Sequence, residues 1–199
     1  MNLDIIMPSN VKMILNKIKE NKHEAVIVGG CVRDSIMEYM PHDWDIATSA
    51  QPTEIIEIFK DFRIMTAGLK HGTVTIIIDH EPYEITTYRV DGKYTDYRRP
   101  DTVSYTRNLA EDLLRRDFTI NAIAYDGENI IDLHGGVDDI KNKIIRCVGN
   151  PDDRFREDPL RILRALRFAI RFKFKIVEST ATAMRKHMEL LDHIAIERK

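Results

Sequence analysis

The sequence predicts an α/β domain followed by an all-helical segment. Three observations carry that expectation. An apolar run, Ala25-Val26-Ile27-Val28, leads into Gly29-Gly30, then residues with helical spacing, then a second short run at Asp45-Ile46-Ala47. Two stretches rich in β-branched and aromatic residues, 73–78 and 83–88, flank the turn Asp79-His80-Glu81-Pro82 and read as a hairpin beside that second run. Beyond Gly149-Asn150-Pro151 the pattern is helical throughout.

The elements follow from local spacing. Ser9 can cap a helix over 11–19, with Val11, Ile14, Leu15 and Ile18 on one packing face. Residues 31–39 place Val32, Ile36 and Tyr39 on one face of a second helix. Pro52 suits a first helical turn, with Ile55, Ile56 and Phe59 inward, and 62–65 is a short strand candidate. Residues 109–114 are expected to be helical, 130–133 and 144–148 to be strands, and 137–141 a short helix. His134 between them reads as a turn residue, because no metal partner is spaced near it. Asp158-Pro159 opens a helix whose apolar stripe is expected to be Leu160, Leu163, Leu166 and Ile170. Ser179 begins a last helix through Leu190.

The turn and the second run carry the chemistry. Gly29 and Gly30 let backbone N–H groups approach a phosphate, and the helix N-terminus that follows adds a favourable dipole. Asp43 and Asp45 are two apart, so a strand would put them on one face. Adjacent carboxylates repel unless a proton or cation lies between them. Magnesium suits that place, since it takes carboxylate oxygens together with substrate phosphates. Alone, a Gly-Gly pair is a turn and Asp-x-Asp is common on exposed strands. Their order and spacing together resemble the nucleotidyltransferase signature of the polymerase-β superfamily. Glu84, on the second arm of the hairpin, is a candidate third carboxylate, as that superfamily often has; an exposed strand glutamate is the alternative.

Further along, residues 89–108 are polar and aperiodic, and read as a flexible loop near the active site. Arg115 and Arg116 stand beside apolar neighbours, which is costly without an anion. A triphosphate matches them through bidentate hydrogen bonds; the alternative is a surface ion pair with Glu111 or Asp112. From Arg154 to Lys175 eight basic residues face only Glu157 and Asp158, a local stripe that could bind phosphates.

Composition narrows the class. The 199 residues suit one domain with an appendage, and 43% apolar with 31% charged residues is ordinary for a globular protein. No apolar run approaches the ~20 residues of a membrane span, and no secretory signal is visible at the N-terminus. Cys31 and Cys147 have no metal spacing and are expected as free thiols in a reducing cytoplasm. The net charge of −2 does not by itself point to nucleic acid; the basic stripe does.

Taken together, Gly29-Gly30-Cys31-Val32-Arg33-Asp34, Asp43-Trp44-Asp45, Arg115-Arg116-Asp117-Phe118-Thr119-Ile120-Asn121-Ala122, Asp132-Leu133-His134-Gly135-Gly136 and Glu157-Asp158-Pro159-Leu160-Arg161-Ile162-Leu163-Arg164 resemble the successive motifs of bacterial-type (class II) tRNA nucleotidyltransferases. That family includes CCA-adding enzymes, their CC- and A-adding relatives and bacterial poly(A) polymerase. The resemblance runs from about residue 25 to 198. It implies a polymerase-β-type head, a mixed sheet with flanking helices over 1–148, and the beginning of a helical neck over 149–199. It also implies addition of CMP and AMP from CTP and ATP to the tRNA 3′ end. Asp43 and Asp45 would hold two Mg²⁺ ions, and Gly29, Gly30, Arg33, Arg116 and Asn121 would meet the triphosphate or ribose. Asp158 and Arg161 would face the base, with Arg164 and Arg167 behind them. The chemistry of the bases agrees: C and A both present an exocyclic amine donor, which a carboxylate accepts, whereas G and U offer a carbonyl there. Members are about twice this length, so the chain is expected to be a fragment or to rely on another for RNA binding. Self-association into a homo-oligomer is left open. The rival readings are a poly(A) polymerase, a partial CC- or A-adding enzyme, and an RNA-binding module without catalysis.

Overall fold

In the computed structural model of the protein, residues 5–92, 94 and 102–194 are described. The first elements are α1 (Ser9–Glu20), β1 (Ala25–Val28), α2 (Gly30–Ile36), β2 (Ile46–Thr48), α3 (Pro52–Ile58), β3 (Arg63–Met65), β4 (Thr73–Ile78) and β5 (Glu81–Thr87). There follow β6 (Arg89–Asp91), β7 (Val103–Tyr105), α4 (Leu109–Leu114), β8 (Ile123–Tyr125), β9 (Ile130–Asp132), α5 (Gly136–Lys141) and β10 (Ile144–Ile145). The C-terminal part is α6 (Pro151–Glu157), α7 (Leu160–Phe172), β11 (Lys175–Ile176) and α8 (Glu178–His187).

Among the described residues, the main sheet runs β3-β4-β5-β2-β1-β8-β9. Its pairs are antiparallel except β2 with β5, which are parallel with Ile46 beside Ile85. The sheet is mixed, as expected, and the hairpin lies next to the strand that follows Asp45. Alternation along the strands sorts the two faces. Ala25, Ile27, Ile46, Val74, Ile76 and Ile85 join the large core with Val11, Ile14, Leu15 and Ile18 of α1 and Ile55 of α3. Val26, Val28 and Ala47 point the other way, where Leu113 of α4 and Tyr88 cover them. Asp45, Glu84 and Thr86 fall on that second face by the same period, where they line a common recess.

Local chemistry sets the helix starts. Gln51 and Glu54 form a reciprocal capping box on α3, with Pro52 in its first turn. Asp132 accepts from Gly136 N at 2.9 Å and Val137 N at 2.8 Å, which fixes the entry to α5. Gly136 has no room for a side chain: a Cβ there would lie 2.2 Å from the Thr119 carbonyl oxygen. The variant Gly136→Ala should lose about 3 kcal/mol of stability through overpacking, read as a lower urea midpoint with an unchanged slope.

Several expectations need correction. Ser9 is the first residue of α1 and not its cap, and α2 ends at Ile36, which leaves Tyr39 outside it and exposed. The apolar stripe of α7 is rotated: Ile162, Ala165, Phe168 and Phe172 are buried, whereas Leu166 is 44% and Ile170 79% exposed. The C-terminal part is not purely helical, because β11 pairs in parallel with β10. The stretch 89–108 is not a structureless loop at its ends, since Arg89, Val90 and Asp91 pair with Tyr105, Ser104 and Val103; residues 93 and 95–101 lie outside the described residues. Cys31 and Cys147 are free and buried. Burial pushes their pKa values up to about 11 and about 12. Among the described residues no helix is long and apolar enough to cross a membrane.

Candidate active site

Where β1 ends, the chain turns at Gly29, whose φ of 82° is a left-handed value that only glycine adopts freely. The turn starts α2 directly, so the first N–H groups of that helix face outward. A cavity of about 410 Å³ opens over it, lined by residues from both parts of the chain. Gly29, Gly30, Arg33, Asp45, Arg116 and Asn121 come from the sheet side, and Asp158, Arg161 and Arg164 from α7 and its entry. Nine of the twelve site residues expected from sequence therefore meet in one place. Arg115, Asp117 and Phe168 complete the lining. In the sequence Asp117 reads as a capping residue directly after the arginine pair, and nothing there marks Phe168 as a lining residue.

Asp43 and Asp45 are both exposed, and they precede β2 instead of lying within it. The ladder nevertheless reaches Asp45, whose carbonyl accepts from Val28 N at 3.0 Å. Although Asp45 is open to solvent, partial desolvation is the largest influence on its carboxyl and raises the pKa. Arg116 opposes that shift and Asp43 adds to it, so the two carboxylates stand near enough to repel. Asp43, Asp45 and Glu84 share a recess of about 620 Å³ with His42, Trp44 and Tyr83. The parallel register, carried back one residue from Ile46 and Ile85, sets Asp45 beside Glu84. Glu84 is exposed, and among the described residues no group of three carboxylate, histidine or cysteine side chains is placed to hold a metal.

Arg33 is buried by α7 rather than by its own helix. Its guanidinium lies 5.3 Å from the Phe168 ring centre and 4.8 Å from that of Phe172. It also pairs with Asp34 and donates to Asn121 Oδ1. Asn121 in turn donates to Asp117 Oδ1 at 3.0 Å, and Asp117 Oδ2 receives Arg164 Nε at 2.7 Å. This chain of contacts ties the glycine turn to the far wall of the cavity.

On that wall Arg161, 8% exposed, is held by Glu157 at 2.7 Å and reaches the carbonyl oxygens of Arg154 and Arg115. Asp158 lies between α6 and α7 and accepts from Leu160 N at 3.0 Å. Arg167 is exposed and outside the cavity lining, so the structure does not bring it to the site. The paired arginines do form ion pairs with Asp112, but that carboxylate is buried, not on the surface.

A glycine turn at a helix start, two repelling carboxylates and converging arginines on this mixed sheet define a head of the polymerase-β nucleotidyltransferase type. The chain belongs to the Poly A polymerase head domain family, which matches residues 25–146. It is 49% identical over 186 residues to a CCA-adding enzyme of Enterococcus faecalis, covering 93% of this chain and 45% of that protein. It is 51% identical to a CCA-adding enzyme of Ligilactobacillus salivarius, covering 93% of this chain and 46% of the relative. The Bacillus stearothermophilus CCA-adding enzyme in complex with CTP superposes with a TM-score of 0.85 at 39% identity, over 96% of this chain and 47% of that one. A tRNA nucleotidyltransferase complexed with a primer tRNA and an incoming ATP analog matches with a TM-score of 0.76 at 34% identity, over 94% of this chain and 53% of that one. The chain thus spans about half the length of these relatives.

Proposed function

We propose that this chain is the catalytic part of a template-independent tRNA nucleotidyltransferase of the cytoplasm, which adds CMP and AMP from CTP and ATP to the tRNA 3′ end. Residues 1–148 form its head and 149–199 the start of its helical neck. One observation carries the reading: a single cavity gathers a phosphate-type turn, three arginines and an Asp–Arg pair from a separate helix. A triphosphate and a base are the ligand that needs all of them at once. The relatives that were solved with CTP, and with primer tRNA and an ATP analog, support it.

In this reading the backbone of Gly29 and Gly30 meets phosphate oxygens, and Arg33, Arg115 and Arg116 offset their charge. Asn121 holds Arg33 in place. Asp158 accepts the exocyclic amine shared by C and A, and Arg161, anchored by Glu157, donates to the adjoining ring nitrogen. Arg164 closes that wall, with Arg167 one turn further out. CCA-adding enzymes are nucleotidyltransferases that generally use divalent metals, and the donors here fit one: two hard carboxylates whose repulsion a cation relieves. Mg²⁺ held by Asp43 and Asp45, with Glu84 adjacent, would activate the RNA 3′-hydroxyl and stabilise the pyrophosphate leaving group.

Poly(A) polymerase is the second reading, favoured by the family whose head domain matches. Nucleotide choice separates the two. Each labelled triphosphate is offered, with tRNA lacking CCA, to this chain and to the chain extended to the length of its relatives. Two CMP additions followed by one AMP are expected. Long AMP tracts would select the rival, and incorporation of none would overturn both.

A further inference from the structure

Asp112 is 1% exposed, yet it stands at the edge of the site, lining the small recess that it shares with Asp45 and Glu84. Its Oδ1 accepts from Arg115 Nε at 3.0 Å and Nη2 at 2.7 Å, and from Arg89 N at 3.3 Å. Its Oδ2 accepts from Arg116 Nη2 at 3.1 Å. One buried carboxylate therefore grips two adjacent guanidiniums that would otherwise repel. A second carboxylate braces the arrangement: Asp91 lies 3.1 Å from Arg89 and 3.7 Å from Arg115. The grip uses one edge of the Arg115 guanidinium and one terminal nitrogen of Arg116, and both residues also line the main cavity. Arg116 Nε is buried without a hydrogen-bond partner among the described residues, and its Nη1 would lie 3.2 Å from a Cβ built on Gly29. Arg116 is thus pressed against the glycine turn, with donor capacity still unused.

We propose that Asp112 is a positioning residue, which holds Arg115 and Arg116 with their open donors aimed at the anion over Gly29-Gly30 and so sets the affinity for the triphosphate. The inference rests on the proposed nucleotidyltransferase reading, in which that anion is a nucleoside triphosphate. The carboxylate is suited to the task because it stays ionised. Burial alone would raise its pKa, but Arg116 and then Arg115 more than offset that and hold it below the ordinary aspartate range.

The isosteric variant Asp112→Asn separates positioning from charge. An asparagine has one acceptor oxygen and one donor NH₂, so it can serve Arg115 or Arg116 but not both. The removed negative charge, by itself, would strengthen anion binding. Misplacement of an arginine would weaken it, and the two effects have opposite signs.

Binding of CTP, ATP and inorganic tripolyphosphate, each with Mg²⁺, is measured calorimetrically for wild type and variant beside thermal unfolding. Wild type should bind all three, and failure there would count against the function proposed above, not against the role of Asp112. The variant should bind each about tenfold more weakly, with the ratio of CTP to ATP affinity unchanged. That loss should vanish in a background already carrying Arg115→Ala and Arg116→Ala. Equal or tighter binding, a loss confined to the nucleotides, or a loss that persists without the arginines would overturn the proposal. Should Asp112→Asn not unfold cooperatively, Asp112→Glu takes its place; its longer arm keeps the charge but shifts both guanidiniums, and unchanged binding would again overturn the role.

Discussion

Asp43→Ala and Asp45→Ala are each expected to reduce nucleotide transfer by about a thousandfold or more and to leave the fold intact. The size of the loss follows from metal chemistry, since charge stabilisation by a bound cation is worth several kcal/mol. Fold retention follows from the site. Asp45 has a raised pKa, so in the folded state its charge is unfavourable, and Asp43 contributes to that cost. Removing one carboxylate relieves it. The pH dependence has a definite sign. A carboxylate whose folded pKa lies above its unfolded value binds more protons when folded, so wild type gains stability as pH falls through the raised value. Asp45→Ala lacks that gain; its unfolding midpoint at neutral pH should match or exceed that of wild type, and the difference should disappear on acidification. Incorporation of labelled CTP into truncated tRNA, circular dichroism and melting curves at several pH values are the measurements. A variant that unfolds would show these residues to be structural.

Asp158→Ala is expected to narrow the choice among the four bases. The carboxylate lines the cavity beside Arg161, whose guanidinium Glu157 fixes from behind. A charge-assisted hydrogen bond is worth roughly 1.5–3 kcal/mol, so CTP and ATP affinity should fall by about one to two orders of magnitude. UTP and GTP lose a repulsion against their carbonyl groups and should change little. The triphosphate contacts proposed for Gly29, Gly30, Arg33 and Arg116 would be untouched, so binding should persist. Because Asp158 also accepts from Leu160 N at the entry to α7, a separate cost of about 1 kcal/mol in fold stability is expected. Titration of all four triphosphates with Mg²⁺ tests the assignment. An equal loss for every base would show that Asp158 supports the site through α7 and does not read the nucleotide.

The two predictions differ in how they depend on the three-dimensional structure. Asp43 and Asp45 are two apart in sequence, and an extended backbone brings them to one side. Asp158 and Gly30 are far apart in the chain, and only the docking of α7 against α2 gives them a common cavity. Phe168 and Phe172 accomplish that docking by packing on the Arg33 guanidinium. Phe168 also meets Phe118 edge to face at 5.9 Å.

Much was determined by the sequence alone. The glycine turn, the Asp-x-Asp spacing, the hairpin and the short helices are local, set by glycine's backbone freedom, by two-residue alternation and by capping residues. Motif order then sufficed to name nine residues that share the cavity. The tertiary structure decided what local rules leave degenerate. Helix α7 carries two overlapping apolar stripes, Leu160-Leu163-Leu166-Ile170 and Ile162-Ala165-Phe168-Phe172, both at helical spacing. Only the partner surface selects the second, because the aromatic rings fill the space against Phe118 and Arg33. The same selection buries Arg161 and leaves Arg167 outside. Asp112 and Asp117 look like ordinary surface carboxylates in the sequence. Asp112 is buried against Arg115 and Arg116, three and four residues on, whereas Asp117 meets Arg164 from a distant helix, and a buried charge is stable in each place because those guanidiniums face it.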